Sequence, residues 1–447
     1  MLLRPLLTTN PLITRRMSYS FVNTVPAALG DVLSTVDTPA LIVYKKALHR
    51  NLQKMKAFVD AHNNTNVNQI TYRPHTKTHK CPALAKVQIE EYGAKGVCVQ
   101  ILDEAEAMIN GGVLDVFISN QCIGPKKIAR LCDLSKRGKV SIIVDNRENI
   151  TEIAAAAASS GAKIDVLIEI NAGQNRCGVE VLEDEGSLCV QLAQAIQSSS
   201  HLYFKGIHSY HGAIQHTRSA AERQMQVLAM PVTRASIAVQ ALEAAGIAVD
   251  VVTGGGTGTF PFESASGRYT EIQPGSYCFM DVDYGENEDG KNMFENALFI
   301  HTMVISKGTQ NAKGSTDSSA TGAARAVLDA GTKASSYDSG LPVPLKGWVD
   351  GSPQQRLQEV ELQNGGDEHS VLLGDYASTL HVGDTLRLLP GHVDPTVNMH
   401  QFLVVVDDTD AEDTSCAVQG SAGSKKNSRE EPVVVDIWSI SGRSPGF

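Results

Sequence analysis

Between about residue 70 and residue 275, short apolar runs alternate with stretches whose apolar residues recur at helical spacing. The runs predict eight strands, over residues 70–75, 96–100, 116–120, 140–145, 164–171, 204–210, 249–253 and 269–273. The amphipathic stretches predict helices over 81–92, 102–109, 126–137, 148–159, 182–197 and 219–245. Strand followed by helix, repeated eight times in about 200 residues, predicts a (β/α)8 TIM barrel. An open doubly wound sheet is the alternative, but the G-x-G-x-x-G that usually follows its early strand is absent.

After about residue 290 the helical period fades. Strand-like runs appear at 297–306, 326–328, 385–389 and 433–440, separated by turn residues. Two polar, apolar-poor segments, 308–322 and 407–431, read as surface insertions. The expected organisation is a barrel over 45–290 and an all-β domain over 291–447. The early apolar run 40–44 joins the β domain (as 36–44), because eight barrel strands are accounted for without it.

The chain has 447 residues and a formal charge of -10, with no long basic stripe, which excludes a nucleic-acid backbone as the expected partner. There is no run of 18 apolar residues, so no membrane-spanning helix is expected. Eight scattered cysteines without a C-x-x-C pair suit reduced thiols in an intracellular compartment. Residues 1–20 carry Arg4, Arg15 and Arg16 and no acid, like a mitochondrial or plastid transit peptide. A disordered tail, or a start at Met17, reads the same residues differently. The expected location is cytoplasmic or mitochondrial.

Five segments carry candidate chemistry. R-P-H-T-K-T-H-K (73–80) ends the first strand and places Lys77 in the barrel mouth. With Arg73, His75, His79 and Lys80 around it, its pKa is expected to fall, giving an amine competent for a Schiff base; a basic surface loop is the plain alternative. E-I-N-A-G-Q-N-R-C-G (169–178) offers Arg176 to a cofactor oxygen or a substrate carboxylate, or to a neighbouring acid. H-S-Y-H-G-A-I-Q-H (208–216) holds three histidines and a tyrosine; Tyr210 can stack on a ring and His216 can act as a general base. T-G-G-G-T-G-T (253–259) can cradle a phosphate with backbone N–H groups, completed by Q-P-G-S-Y (273–277) after the eighth strand. In P-G-H-V-D-P-T-V-N (390–398), His392 and Asp394 at i, i+2 share a face if the backbone is extended, and can hold one ion. Nitrogen plus carboxylate favours Mn, Mg or Zn.

In this order, and with D-A-G-T-K-A at 329–334, these blocks resemble the D-threonine aldolase and eukaryotic D-serine dehydratase family. Its members are relatives of alanine racemase, with a pyridoxal 5'-phosphate (PLP) barrel and a β domain. The resemblance runs from about residue 36 to the end, apart from the two polar insertions. It implies that Lys77 is the Schiff-base lysine, that Tyr210 stands beside the cofactor ring, and that Arg176 contacts or orients the cofactor. Gly255, Gly256, Thr257, Gly275 and Ser276 would surround the phosphate, with Gln100 a further contact. His216 would be the base for the substrate hydroxyl, near a divalent metal on His392 and Asp394.

The dehydratases resemble His-x-Cys with zinc at the metal pair; His392-x-Asp394 departs from that and looks like the aldolases. The implied activity is cleavage of D-threonine and related D-β-hydroxy-α-amino acids to glycine and an aldehyde. Dehydration of D-serine to pyruvate and ammonia is the alternative. A non-enzymatic PLP-binding homeostasis protein is a third, although such proteins lack a β domain. The expected partners are a small D-amino acid and, by resemblance, a second copy in a homodimer.

Overall fold

The computed structural model describes residues 24–310, 322–345, 360–407 and 431–443. The targeting segment expected over residues 1–20 lies outside them, as do most of the two polar insertions. Eight parallel strands form the first sheet: Thr71–Tyr72, Val97–Val99, Asp115–Ile118, Lys139–Val144, Ile164–Glu169, Leu202–His208, Val251–Gly254 and Glu271–Ile272. From the second strand on, each pairs with the next in sequence, and the last pairs with the first. A bridge between His75 and Cys98, with the Cys98 amide donating to the Pro74 carbonyl at 2.9 Å, closes the barrel.

All eight predicted strands are present. The first and last are short because Pro74 and Pro274 remove ladder donors immediately after them. Pairing nevertheless continues past both ends, through Arg73 N to Ile272 O at 2.9 Å and His75 N to Pro274 O at 3.0 Å. Cys98, Phe117, Ile143 and Leu167 pack as a buried cluster of four strand residues. The catalytic candidates lie on the loops that leave the strands' C-terminal ends.

Five of the six predicted helices appear as single units: Pro82–Glu90, Leu102–Asn110, Pro125–Ser135, Arg147–Ser160 and Ser187–Gln197. The sixth, 219–245, is broken into Ala220–Val227, a wide turn over Leu228–Val232 and Thr233–Ala244. Pro231 sits in that turn and supplies no N–H, so the regular hydrogen-bond ladder cannot run through it. Helix Lys45–Thr65 stands outside the predicted set, although its buried Leu48, Leu52, Met55 and Val59 follow helical spacing.

Among the described residues the second sheet holds nine strands, and Ala40–Tyr44 lies inside it. That strand pairs antiparallel with Leu298–Gln310 and parallel with Phe402–Asp407. Residues 308–310 belong to the long strand and pair with Ala323–Arg325, so the first polar segment starts later than its composition suggests. The region is mainly strand, not purely so: helices Asp375–Thr379 and Val393–Met399 lie within it. The second of these carries the predicted metal residue Asp394. No helix among the described residues is long and apolar enough to cross a membrane.

Candidate active site

Pro74 ends the first barrel strand, and the chain turns at once through Thr76–Thr78. The His75 ring caps the turn, its Nδ1 accepting from the Lys77 amide at 3.4 Å. This turn places Lys77 in the wall of a cavity of about 270 Å³ at the barrel mouth. There Lys77 Nζ lies 3.1 Å from Asp394 Oδ2.

The electrostatics of Lys77 reverse the sequence expectation. The Asp394 carboxylate holds its pKa above the usual lysine value, although burial works the other way. The nearby cations do not depress it, because each is neutral or spoken for. Arg73 is paired with Asp115 at 2.6 Å and Glu271 at 3.1 Å, and Lys80 is paired with Glu104. Burial pushes His79 down to about 4 and His75 well below its ordinary range. The basic motif is therefore largely buried wall, not a surface loop.

Tyr210 leaves the sixth strand of the barrel, and its ring stacks on His208 with centroids 6.4 Å apart. The Arg176 guanidinium carbon lies 6.0 Å from the Tyr210 centroid, so Arg176 faces the aromatic wall of the cavity. Burial raises the Tyr210 phenol and holds His208 at about 4. His216 ends the turn Ala213–His216, and its Nδ1 is 2.7 Å from Asp283 Oδ2.

Two loops form a small cup on the cavity wall. Thr257 Oγ1 accepts from the Tyr277 amide at 3.1 Å, tying the glycine loop to the loop after the last strand. A Cβ on Gly256 would stand 2.5 Å from Gln215 Oε1, and one on Gly275 would stand 2.9 Å from the His75 carbonyl. Only glycine lets the backbone approach so closely. Gly256, Thr257, Gly275 and Ser276 line the cavity, whereas Gly255 does not. Gly255 adopts φ +73 and makes the bend that presents its neighbour.

His392 and Asp394 also line the cavity, but not on extended backbone. His392 is the N-cap of Val393–Met399 and Asp394 lies in its first turn. Asp281 Oδ2 accepts the Val393 amide at 2.9 Å, anchoring this helix to the barrel. His392 Nδ1 is 2.7 Å from Asp338 Oδ2, which leaves Nε2 for other use. Burial opposes ionisation of Asp394, but Lys77 and His392 outweigh it and keep the carboxyl well below the usual carboxylate range.

Eleven of the twelve predicted site residues thus meet in one cavity. Gln100 is among them, its amide donating to the Ser119 carbonyl at 3.1 Å. The sequence motifs did not include Ser119 or Tyr284, which also line it, nor Asp283 and Asp338, which hold two of the histidines.

The residues fit a phosphorylated aldehyde cofactor: a primary amine, an aromatic wall, and a cup of glycine backbone and two hydroxyls share the cavity. One imidazole nitrogen and one carboxylate, from His392 and Asp394, line the same cavity and could serve a metal. No group of three or more His, Cys, Asp or Glu forms a fuller cage among the described residues.

A family model described as the alanine racemase N-terminal domain matches residues 43–283, and a putative serine dehydratase domain matches residues 297–406. The chain is 40% identical to a D-threonine aldolase from Arthrobacter sp over 94% of its own length and 96% of the relative's. It is also 40% identical to a 3-hydroxy-D-aspartate aldolase from Paracoccus denitrificans over 95% and 96%. Relatives named as dehydratases stand at 28% and 25%. Among solved structures, D-threonine aldolase from Filomicrobium marinum superposes with a TM-score of 0.76 at 36% identity, covering 94% of this chain and 98% of the other.

Proposed function

Since the chain belongs to the D-threonine aldolase family, we propose that it splits D-threonine and related D-β-hydroxy-α-amino acids into glycine and an aldehyde. The observation that carries this reading is the single cavity lined by Lys77, His216, His392 and Asp394. The amine, the base and the paired metal ligands serve one small substrate there.

Lys77 would hold PLP covalently, with Thr257, Ser276 and the glycine backbone around its phosphate and Tyr210 and Arg176 beside its ring. When bound, that cofactor supplies a conjugated ring able to take up an electron pair released at Cα. His392 and Asp394 would hold a Mn, Mg or Zn ion, whose chemistry is to make a hydroxyl more acidic. His216 takes the proton from the substrate's β-hydroxyl. His75, neutral beside Lys77, adds no competing positive charge to the site.

Two features favour bond cleavage between Cα and Cβ over loss of hydroxide. The residue two after His392 is a carboxylate, not the thiolate that selects zinc in dehydratase-like pairs. Two relatives that are 40% identical to it over nearly its whole length carry aldolase names. A barrel-only homeostasis protein is disfavoured, because helix Val393–Met399 of the second region contributes to the cavity. A homodimer is also part of the proposal.

Metal removal tests the reading. After chelation, the visible absorbance of the cofactor is expected to remain while aldehyde release from D-threonine stops, returning with Mn, Mg or Zn. Undiminished release by the stripped protein would overturn the metal assignment.

A further inference from the structure

The base His216 is gripped by a residue that does not itself line the cavity. We infer that Asp283 is a positioning residue, fixing His216 with its proton on Nδ1 and its Nε2 lone pair toward substrate. The inference rests on the proposed role of His216.

The geometry is specific. Asp283 Oδ2 lies 2.7 Å from His216 Nδ1. A carboxylate can only accept there, so Nδ1 must carry the hydrogen, and in the neutral ring Nε2 then holds the lone pair a base needs. The other carboxylate oxygen is held by Arg218, whose Nη1 also donates to the Asp283 carbonyl at 2.7 Å and to Asn287 Oδ1 at 3.0 Å. Asp283 is therefore clamped from behind and cannot rotate away without breaking that network. Burial alone would favour its neutral form, but the hydrogen bonds from His216 and Arg218 win and hold it at about 2. It is an ionised acceptor throughout the neutral range.

The same segment fixes His216 relative to the metal pair. The Asp283 amide donates to the Gly391 carbonyl at 3.2 Å, and the Val282 amide to the Pro390 carbonyl at 3.0 Å. Asp281 caps its own turn through the Tyr284 amide at 2.9 Å and the metal-bearing helix through Val393. The Tyr284 ring backs the imidazole with centroids 5.3 Å apart. On the other side, Asn287 Nδ2 donates to the Gln215 carbonyl at 3.0 Å. Residues 281–287 thus bracket the His216 turn and the His392 loop together. Asp283 is the member that reaches the imidazole.

The test combines Asp283→Asn with nitrogen NMR of the 15N-labelled imidazoles in the PLP-loaded protein, His216 being assigned by its loss in His216→Ala. Wild-type His216 should show a protonated Nδ1 and an unprotonated Nε2. In Asp283→Asn the amide can present N–H to Nδ1, and the pattern should mix or reverse. The kcat for D-threonine cleavage should fall about 10- to 100-fold, with KM and cofactor absorbance unchanged.

A wild-type ring protonated on Nε2 would overturn the inference without any variant, so a poorly folding variant does not shield it. Unchanged kcat and tautomer in Asp283→Asn would also overturn it, as would lost activity with the tautomer retained. A tautomer switch in a protein that does not cleave D-threonine would leave the positioning role standing and reject the proposed reaction instead.

Discussion

Lys77 Nζ and Asp394 Oδ2 meet at 3.1 Å across the cavity, although 317 positions of sequence separate them. One comes from the first loop of the barrel, the other from a short helix of the second region. The contact joins the residue expected to hold the cofactor to a residue expected to hold the metal. It also brings the second region into the wall of the cavity.

The two residues should separate functionally. Lys77→Ala should abolish the visible absorbance of the bound cofactor. Asp394→Ala should retain it and lose metal-dependent turnover by about 100-fold or more, since a Lewis acid is worth several kcal/mol. Spectra and rates on the two purified variants check this. A chromophore that survives Lys77→Ala would contradict the assignment.

The cup makes a steric prediction. Gly256→Ala drives a Cβ to 2.5 Å from Gln215 Oε1, and Gly275→Ala drives one to 2.9 Å from the His75 carbonyl. Each should weaken PLP binding and cost about 1–3 kcal/mol of stability, as overpacking does. Gly285→Ala, whose Cβ would meet nothing within 4 Å, should do neither. Equilibrium dialysis of PLP and thermal melts separate the three.

Glu263 gives a pH signature beneath the glycine loop. Burial pushes its carboxyl from 4.5 up to about 7. Its Oε1 accepts from Thr259 Oγ1, which in turn accepts from Gln215 and the Gly256 amide. A raised carboxyl pKa means the native state favours the protonated form. The cost of ionising it is absent below the unfolded value, grows as pH rises, and is complete above about 7. It amounts to about 3 kcal/mol at most. Glu263→Gln keeps an acceptor for Thr259 and should be more stable than wild type at about pH 8.5, with the gain vanishing near pH 4.5. Equal gains at both would show that Glu263 does not titrate in this window.

Asp338 should matter for the metal without touching it. Its carboxylate orients His392 from 2.7 Å, so Asp338→Ala should weaken metal affinity about 10- to 100-fold. Titration calorimetry with Mn on the PLP-loaded protein measures this directly. Unaltered affinity would remove Asp338 from the account.

The barrel was legible because short apolar runs alternate with helical patterns eight times over, although the first and last strands are only two residues long. Helix Lys45–Thr65 carried a readable apolar stripe, and Pro231 announced the break in 219–245. The form of the metal pair misled: the i, i+2 spacing of His392 and Asp394 was read on an extended backbone, yet Pro395 in the first helical turn costs no hydrogen bond, and the segment is helical. What no local pattern could show is long-range pairing. His216 with Asp283, His392 with Asp338 and Lys77 with Asp394 each join segments at least 54 residues apart. Those contacts, not the motifs, set the charge states. That is why Lys77 was expected to have a lowered pKa and is instead held high.

The most direct test is the fate of D-threonine in the PLP- and Mn-loaded protein. Glycine and acetaldehyde are expected in equal amounts, with neither formed by Lys77→Ala. Formation of a ketoacid and ammonia, without glycine, would contradict the proposed reaction.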